Sequence, residues 1–175
     1  MYFKLMTDWV CYLITSLDSN KTYVGASNNP EKRLCAHNNN NSKIKRVGAR
    51  ATQGETWVPI IFISGFEYKK TCLSFETGWK RLAKRRNNSR LNPLNEISDL
   101  GVFYNSDTKW NRLVDLLYFV HNFTYIEDKF KINPELKWDI NSPKGLIINI
   151  FMEDWIQDFP WPYFVKIKKL DCLTF

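Results

Sequence analysis

At 175 residues, 44% hydrophobic and 15% aromatic, the chain holds enough apolar material for a packed core, which excludes wholesale disorder. Its formal net charge of +7 favours an anionic partner, nucleic acid ahead of a membrane surface. The four cysteines are scattered without a CxxC and the two histidines complete no zinc spacing, which argues against a disulfide framework or a zinc site. The opening residues MYFKLMTDWVCYLI hold Lys4 and Asp8 and lack a small-residue cleavage site. No apolar run reaches membrane-spanning length, so neither a signal peptide nor a transmembrane segment is expected.

In chain order, Val10 to Ile14 and Thr22 to Gly25 carry the β-branched and aromatic residues of strands. The polar stretch SLDSNK between them turns the chain, so the pair reads as an antiparallel hairpin. Asn29-Pro30-Glu31 follows as a helix N-cap, a proline at the first helical position and an acid in the first turn. On that helix Arg33 and His37 are four residues apart and share a face, and the run Asn38 to Asn41 should end it. Two strand tyrosines, a guanidinium and an imidazole can thus converge on one surface.

Residues 42–55 read as a basic loop, and 56–66 (TWVPIIFISGF) as a buried strand closed by Gly65. A helix is expected from about Tyr68 to Arg86, with Cys72, Phe75, Trp79 and Leu82 facing the core. Residues 87–95 are rich in turn formers. Residues 106–123 should form another helix on a Trp110, Leu113, Leu117, Val120 stripe, and a helix is also expected over Ile147 to Asp158. The run from Trp161 to Ile167 should be a strand.

The hairpin and first helix resemble the GIY-YIG nuclease family. Val10-Cys11-Tyr12 stands at the first triplet, with Val10 in place of its opening glycine, and Tyr23-Val24-Gly25 matches the second. Arg33 falls at the family's arginine and His37 at its His/Tyr position. The wider run YVGASNNPEKRLCAHN, with Trp57-Val58-Pro59, Gly65-Phe66 and FETGW, is similar to one branch, the catalytic subunit of the eukaryotic structure-specific endonuclease that cuts flaps, forks and Holliday junctions. There a RING-like zinc domain follows, for which this sequence has no cysteine cluster. Ala26 stands where the bacterial excision-repair members carry lysine.

The resemblance implies an α+β fold, a small antiparallel three-stranded sheet flanked by helices over residues 1–95. A mainly helical C-terminal extension ending in a short strand would occupy 96–175. It also implies a catalytic set of Tyr12, Tyr23, Arg33, His37 and Glu76, with Glu76 as ligand for Mg²⁺ or Mn²⁺. Read from spacing alone, Glu76 and Lys80 are an ordinary i,i+4 surface pair. Phosphodiester hydrolysis needs a deprotonated water, a neutralised phosphate and a stabilised 3′ leaving oxygen. Arg33 suits the phosphate through its fork of donors. Water activation falls to Tyr12 or to His37, and both remain open. A tyrosine of ordinary pKa near 10 needs help to act as a base.

Two basic groups suit backbone phosphates: Lys43, Lys45, Arg46 and Arg50 in the loop, and Lys80, Lys84, Arg85 and Arg86 on the Glu76 helix. Expected partners are branched or nicked DNA, together with a protein partner or self-association through the aromatic C-terminal half, in the nucleus or at a cytoplasmic DNA-replication site. Two other readings stand beside the nuclease: a catalytically silent branched-DNA-binding module and a partner-docking protein.

Overall fold

A computed structural model describes residues 9–39, 49–66, 68–87, 100–121 and 145–170. Strand β1 (Val10–Ser16) pairs antiparallel with β2 (Thr22–Ser27), setting Tyr12 opposite Gly25 and Ile14 opposite Tyr23. Ser16 closes the hairpin, its Oγ accepting from the backbone N–H groups of Asp18 and Ser19 at 3.0 and 3.2 Å. Helix α1 (Pro30–Asn38) begins as the sequence suggests, the Asn29 side chain accepting from Lys32 N at 3.0 Å. It ends at Asn38, whose side-chain amide donates to Trp57 O (2.9 Å) and accepts from Trp57 N (2.6 Å). That pair of bonds fastens α1 to the start of β3 (Trp57–Ser64).

Strand β3 lies antiparallel on the other side of β1, with a register shift after Leu13. Helices α2 (Lys69–Asn87) and α3 (Thr108–His121) follow, then β4 (Leu146–Ile150) and β5 (Val165–Lys169). The sheet order is β2-β1-β3-β4-β5, antiparallel except for β4 and β5. It has five strands where three were expected, because β4 and β5 extend it past β3. The helix expected over Ile147 to Asp158 is instead β4 followed by a 3₁₀ turn, Asp154–Asp158. Three isoleucines in LIINI favour a strand, and the open edge of β3 supplies its partner. Gly65 permits the junction: a Cβ there would sit 2.1 Å from the Gly145 carbonyl oxygen, at a φ of +101°.

The alternation of β1 sorts its side chains to two faces. Cys11 and Leu13 join the large core beneath α2 and α3, with Phe75 edge-on to Phe66 and Phe119 at 5.2 and 4.9 Å. Val10, Tyr12 and Ile14 face the other way, with Leu34, Trp57 and Phe62. Of the expected stripes, Cys72, Phe75, Trp79, Leu113, Leu117 and Val120 are buried, and Leu82 and Trp110 are half-buried against the same core. Helix α3 also ties down the hairpin, Thr108 Oγ1 donating to Asn20 O at 2.6 Å. Several C-terminal aromatics pack internally, Trp110 against Trp155 (4.8 Å) and Phe159 (5.1 Å), while Tyr163 is 91% exposed. Among the described residues no helix is long and apolar enough to cross a membrane.

Candidate active site

The Tyr12 ring lies flat across the hairpin because its cross-strand partner is a glycine. A Cβ on Gly25 would stand 2.3 Å from the Tyr12 hydroxyl oxygen and 2.4 Å from Cζ. Phe62 supports the ring edge-on at 6.2 Å. So held, the hydroxyl meets His37 Nε2 at 2.9 Å. Both side chains are 2% exposed.

Burial pushes the Tyr12 phenol well above its ordinary pKa, and the Arg33 guanidinium opposes this through a hydrogen bond and its charge. Burial, then the positive Arg33, pushes His37 down to about 4, so its imidazole is neutral at pH 7. A neutral imidazole facing a phenol can accept the phenol's proton. Arg33 and His37 do share one face of α1, as their spacing requires, and both act on Tyr12.

The second tyrosine completes the cluster. Tyr23 lies 6.4 Å from Tyr12 and 5.0 Å from His37, centroid to centroid. Helix α2 packs on the opposite face of the sheet, but β2 is the edge strand, and Lys80 reaches round it to place Nζ 5.1 Å from the Tyr23 centroid. Lys80 also pairs with Glu76 Oε1 at 2.6 Å, and the Glu76 side chain is only 16% exposed. The i,i+4 pair read from the sequence therefore exists, with Lys80 the more exposed partner and Glu76 half-buried beneath it. Glu76 is near enough for its charge to raise the Tyr12 phenol. Five sequence-identified residues are thus gathered around the β2 edge.

Among the described residues no group of three or more His, Cys, Asp or Glu gathers to hold a metal, so the fit turns on one carboxylate. Glu76 offers one carboxylate, and the neighbouring Cys11 and Cys72 thiols are pushed up by burial, Cys72 to about 12, so they stay neutral and bind metals weakly at pH 7. An ion that accepts one carboxylate and keeps its waters fits such a site. Val10, at the triplet's first position, is buried beside Leu34 and Trp57.

The basic residues divide. Arg50 is exposed on the 3₁₀ turn Arg50–Thr52, and Lys84 is exposed on α2. Lys43, Lys45, Arg46 and the side chain of Arg85 lie outside the described residues. Arg86, expected as a phosphate contact, has its guanidinium bound to Asp115 of α3 by two bonds, 3.0 and 2.8 Å. Asp115 is 1% exposed and also accepts from the Tyr104 hydroxyl at 2.9 Å. A buried carboxylate requires such a cation, and i,i+4 spacing on α2 could not reveal it. Sequence reading also missed Thr52, which is 1% exposed and places Oγ1 2.7 Å from His37 Nδ1. Nothing in its local pattern singles it out, because the contact joins two segments through the fold.

A family model described as the GIY-YIG catalytic domain matches residues 8–92, the span that holds all five clustered residues. The "Uncharacterized protein L300" of Acanthamoeba polyphaga mimivirus is 56% identical over 161 residues, 92% of this chain and 96% of that protein. Two proteins named "Structure-specific endonuclease subunit SLX1" are similar over part of the chain. The one from Vanderwaltozyma polyspora is 32% identical over 83 residues, and the one from Kluyveromyces lactis is 37% identical over 92. These cover 44% and 48% of this chain, which spans only 24% and 31% of their own length. With the matching span and the glycine beneath the first tyrosine in agreement, residues 8–92 of the chain are a GIY-YIG catalytic domain.

Proposed function

We propose that this nuclease is a divalent-metal-dependent, structure-selective DNA endonuclease that cuts branched DNA such as flaps, forks and Holliday junctions, in repair, recombination or replication. The observation that carries the chemistry is the 2.9 Å bond between Tyr12 and a neutral His37 beside Arg33 and Glu76. The likeness to the SLX1 subunits supports the choice of branched substrates.

The water oxygen bonds to phosphorus as the P–O3′ bond breaks. The water's proton passes to the Tyr12 oxygen as the phenol proton passes to His37 Nε2, leaving a neutral phenol and an imidazolium. Buried Tyr12 cannot shed its proton to solvent, but it has an acceptor in contact, whose lowered basicity must be raised by the bound substrate. Negative charge on the bound phosphate favours the imidazolium. The 3′ oxygen takes its proton from solvent, and His37 later returns its own. Arg33 holds the scissile phosphate, its five donors allowing it to touch Tyr12 as well. Tyr23 bounds the pocket beside His37 and orients the water or the phosphate. Mg²⁺ or Mn²⁺ on Glu76 would neutralise charge on the phosphate and on the leaving oxygen.

Duplex arms are held by exposed Arg50 and Lys84, with Lys43, Lys45, Arg46 and Arg85 as further phosphate contacts. These read backbone rather than base edges. Selectivity then comes from the bend a branch already has, since bending intact duplex costs roughly 1–6 kcal/mol.

The test is incubation of labelled flap, fork, four-way junction and plain duplex with Mg²⁺. Branched substrates should be cut and duplex spared. Glu76→Gln should bind them normally and cut on the order of 10²–10³-fold more slowly. Near-normal cutting by that variant would refute the ligand assignment. Binding without cutting by the parent would select the silent DNA-binding module instead.

A further inference from the structure

We propose that Thr52 is a positioning residue of the pocket: by accepting the His37 Nδ1 proton, it fixes the tautomer that leaves Nε2 free for the Tyr12 phenol. The inference rests on the proton path given above and extends it by one residue. Thr52 Oγ1 lies 2.7 Å from His37 Nδ1 and 2.9 Å from the Ala49 carbonyl oxygen. The Thr52 hydroxyl donates its single proton to that carbonyl, which can only accept. Towards His37 the hydroxyl oxygen can then only accept. Neutral His37 therefore carries its proton on Nδ1 and presents a lone pair at Nε2. The Tyr12 hydroxyl, 2.9 Å from Nε2, must be the donor.

Three groups thus point their protons one way, from Tyr12 through His37 and Thr52 to the Ala49 carbonyl. Reversing the ring tautomer would take the Thr52 proton off Ala49 and set an N–H against the Tyr12 oxygen, turning the phenol proton out of the relay. The support is rigid. Thr52 is 1% exposed, its carbonyl accepts from the Trp57 indole at 2.8 Å, and its own N–H donates to Ala49 O at 3.0 Å. A threonine serving only its 3₁₀ turn would need the Ala49 bond alone. The short contact to an imidazole fifteen residues away is what the turn does not require.

Two measurements decide it. The chain has two histidines, so ring ¹⁵N spectra of the DNA-free protein distinguish His37 readily. The parent should show the proton on Nδ1, and Thr52→Val, which keeps the shape and loses the hydroxyl, should shift signal towards the Nε2–H form. In cleavage assays Thr52→Val should lower kcat on the order of 10- to 100-fold with KM for DNA nearly unchanged. Thr52→Ser should recover most of that rate and the parental tautomer. Parent protein with the proton on Nε2 overturns the proposal, even if Thr52→Val fails to fold. Parental rate and parental tautomer in Thr52→Val overturn it as well, while leaving the nuclease reading in place. If the parent cuts no branched DNA yet shows a Thr52-dependent Nδ1–H form, the positioning role is supported and the endonuclease reading fails.

Discussion

The two faces of the sheet use the same strands for opposite ends. Beneath α2 and α3 the cluster holds 23 buried hydrophobic residues among those described, against six in the cluster that includes Tyr12, so most of the apolar burial lies on the first face. The smaller face has room for polar groups and keeps His37 and Thr52 buried beside aromatic rings. The lesson is that β1 separates stability from chemistry by its period of two. Cys11 and Leu13 serve one side, and Val10, Tyr12 and Ile14 serve the other. The β2 edge is where the faces communicate, because Lys80 reaches the Tyr23 ring there while paired with Glu76 on α2.

The sharpest way to break that division is Arg86. Its removal by Arg86→Ala leaves buried Asp115 without its cation and should destabilise the fold by about 3–5 kcal/mol. The salt dependence of DNA binding should stay parental if the Arg86 guanidinium is spent on Asp115. Lys84→Ala should do the reverse, with unchanged unfolding and a slope of log affinity against log salt shallower by about 0.9. Urea unfolding and a salt titration separate the two, and a shallower slope in Arg86→Ala would return that residue to the DNA-binding surface.

Next in size is the pH response of the small face. Folding holds His37 down at about 4 against an ordinary 6.5, so above 6.5 the imidazole is neutral folded or unfolded and its burial is free of a protonation penalty. As pH falls from 6.5 to 4, the unfolded chain takes up a proton that the folded one refuses. Stability should drop by up to about 3 kcal/mol across that window and level off below it. His37→Gln should flatten this part of the profile. Equal acid sensitivity in both proteins would show that His37 is not its source.

The smallest expected stability change accompanies a large functional one. Gly25→Ala places a methyl 2.3 Å from the Tyr12 oxygen, and the free end of that ring can yield. Overpacking of this kind costs about 1–3 kcal/mol. Once displaced, the hydroxyl leaves its line with His37, so kcat should fall on the order of tenfold or more while the protein melts only slightly earlier. Unchanged kcat beside a lowered melting point would make Gly25 a packing residue alone.

Much of this architecture is local and was therefore readable. Turn chemistry at SLDSNK, the Asn29 cap and the Cys72, Phe75, Trp79 stripe each depend on neighbours within a few residues. The five clustered site residues came from motif resemblance, not from any one residue's setting. Ile147 to Asp158 was misread because a short apolar run has no period long enough to separate strand from helix. Only the free edge of β3 decided it.

What the sequence by itself determined is the set of elements up to α3, the hairpin positions of the two tyrosines and the shared face of Arg33 and His37. Tertiary structure alone decided which groups meet. Arg86 with Asp115, Thr52 with His37 and the Tyr12 ring over Gly25 each join residues 13 or more positions apart. The physical reason is that a buried polar group needs a partner, and the fold, not sequence proximity, chooses which one is within 3 Å.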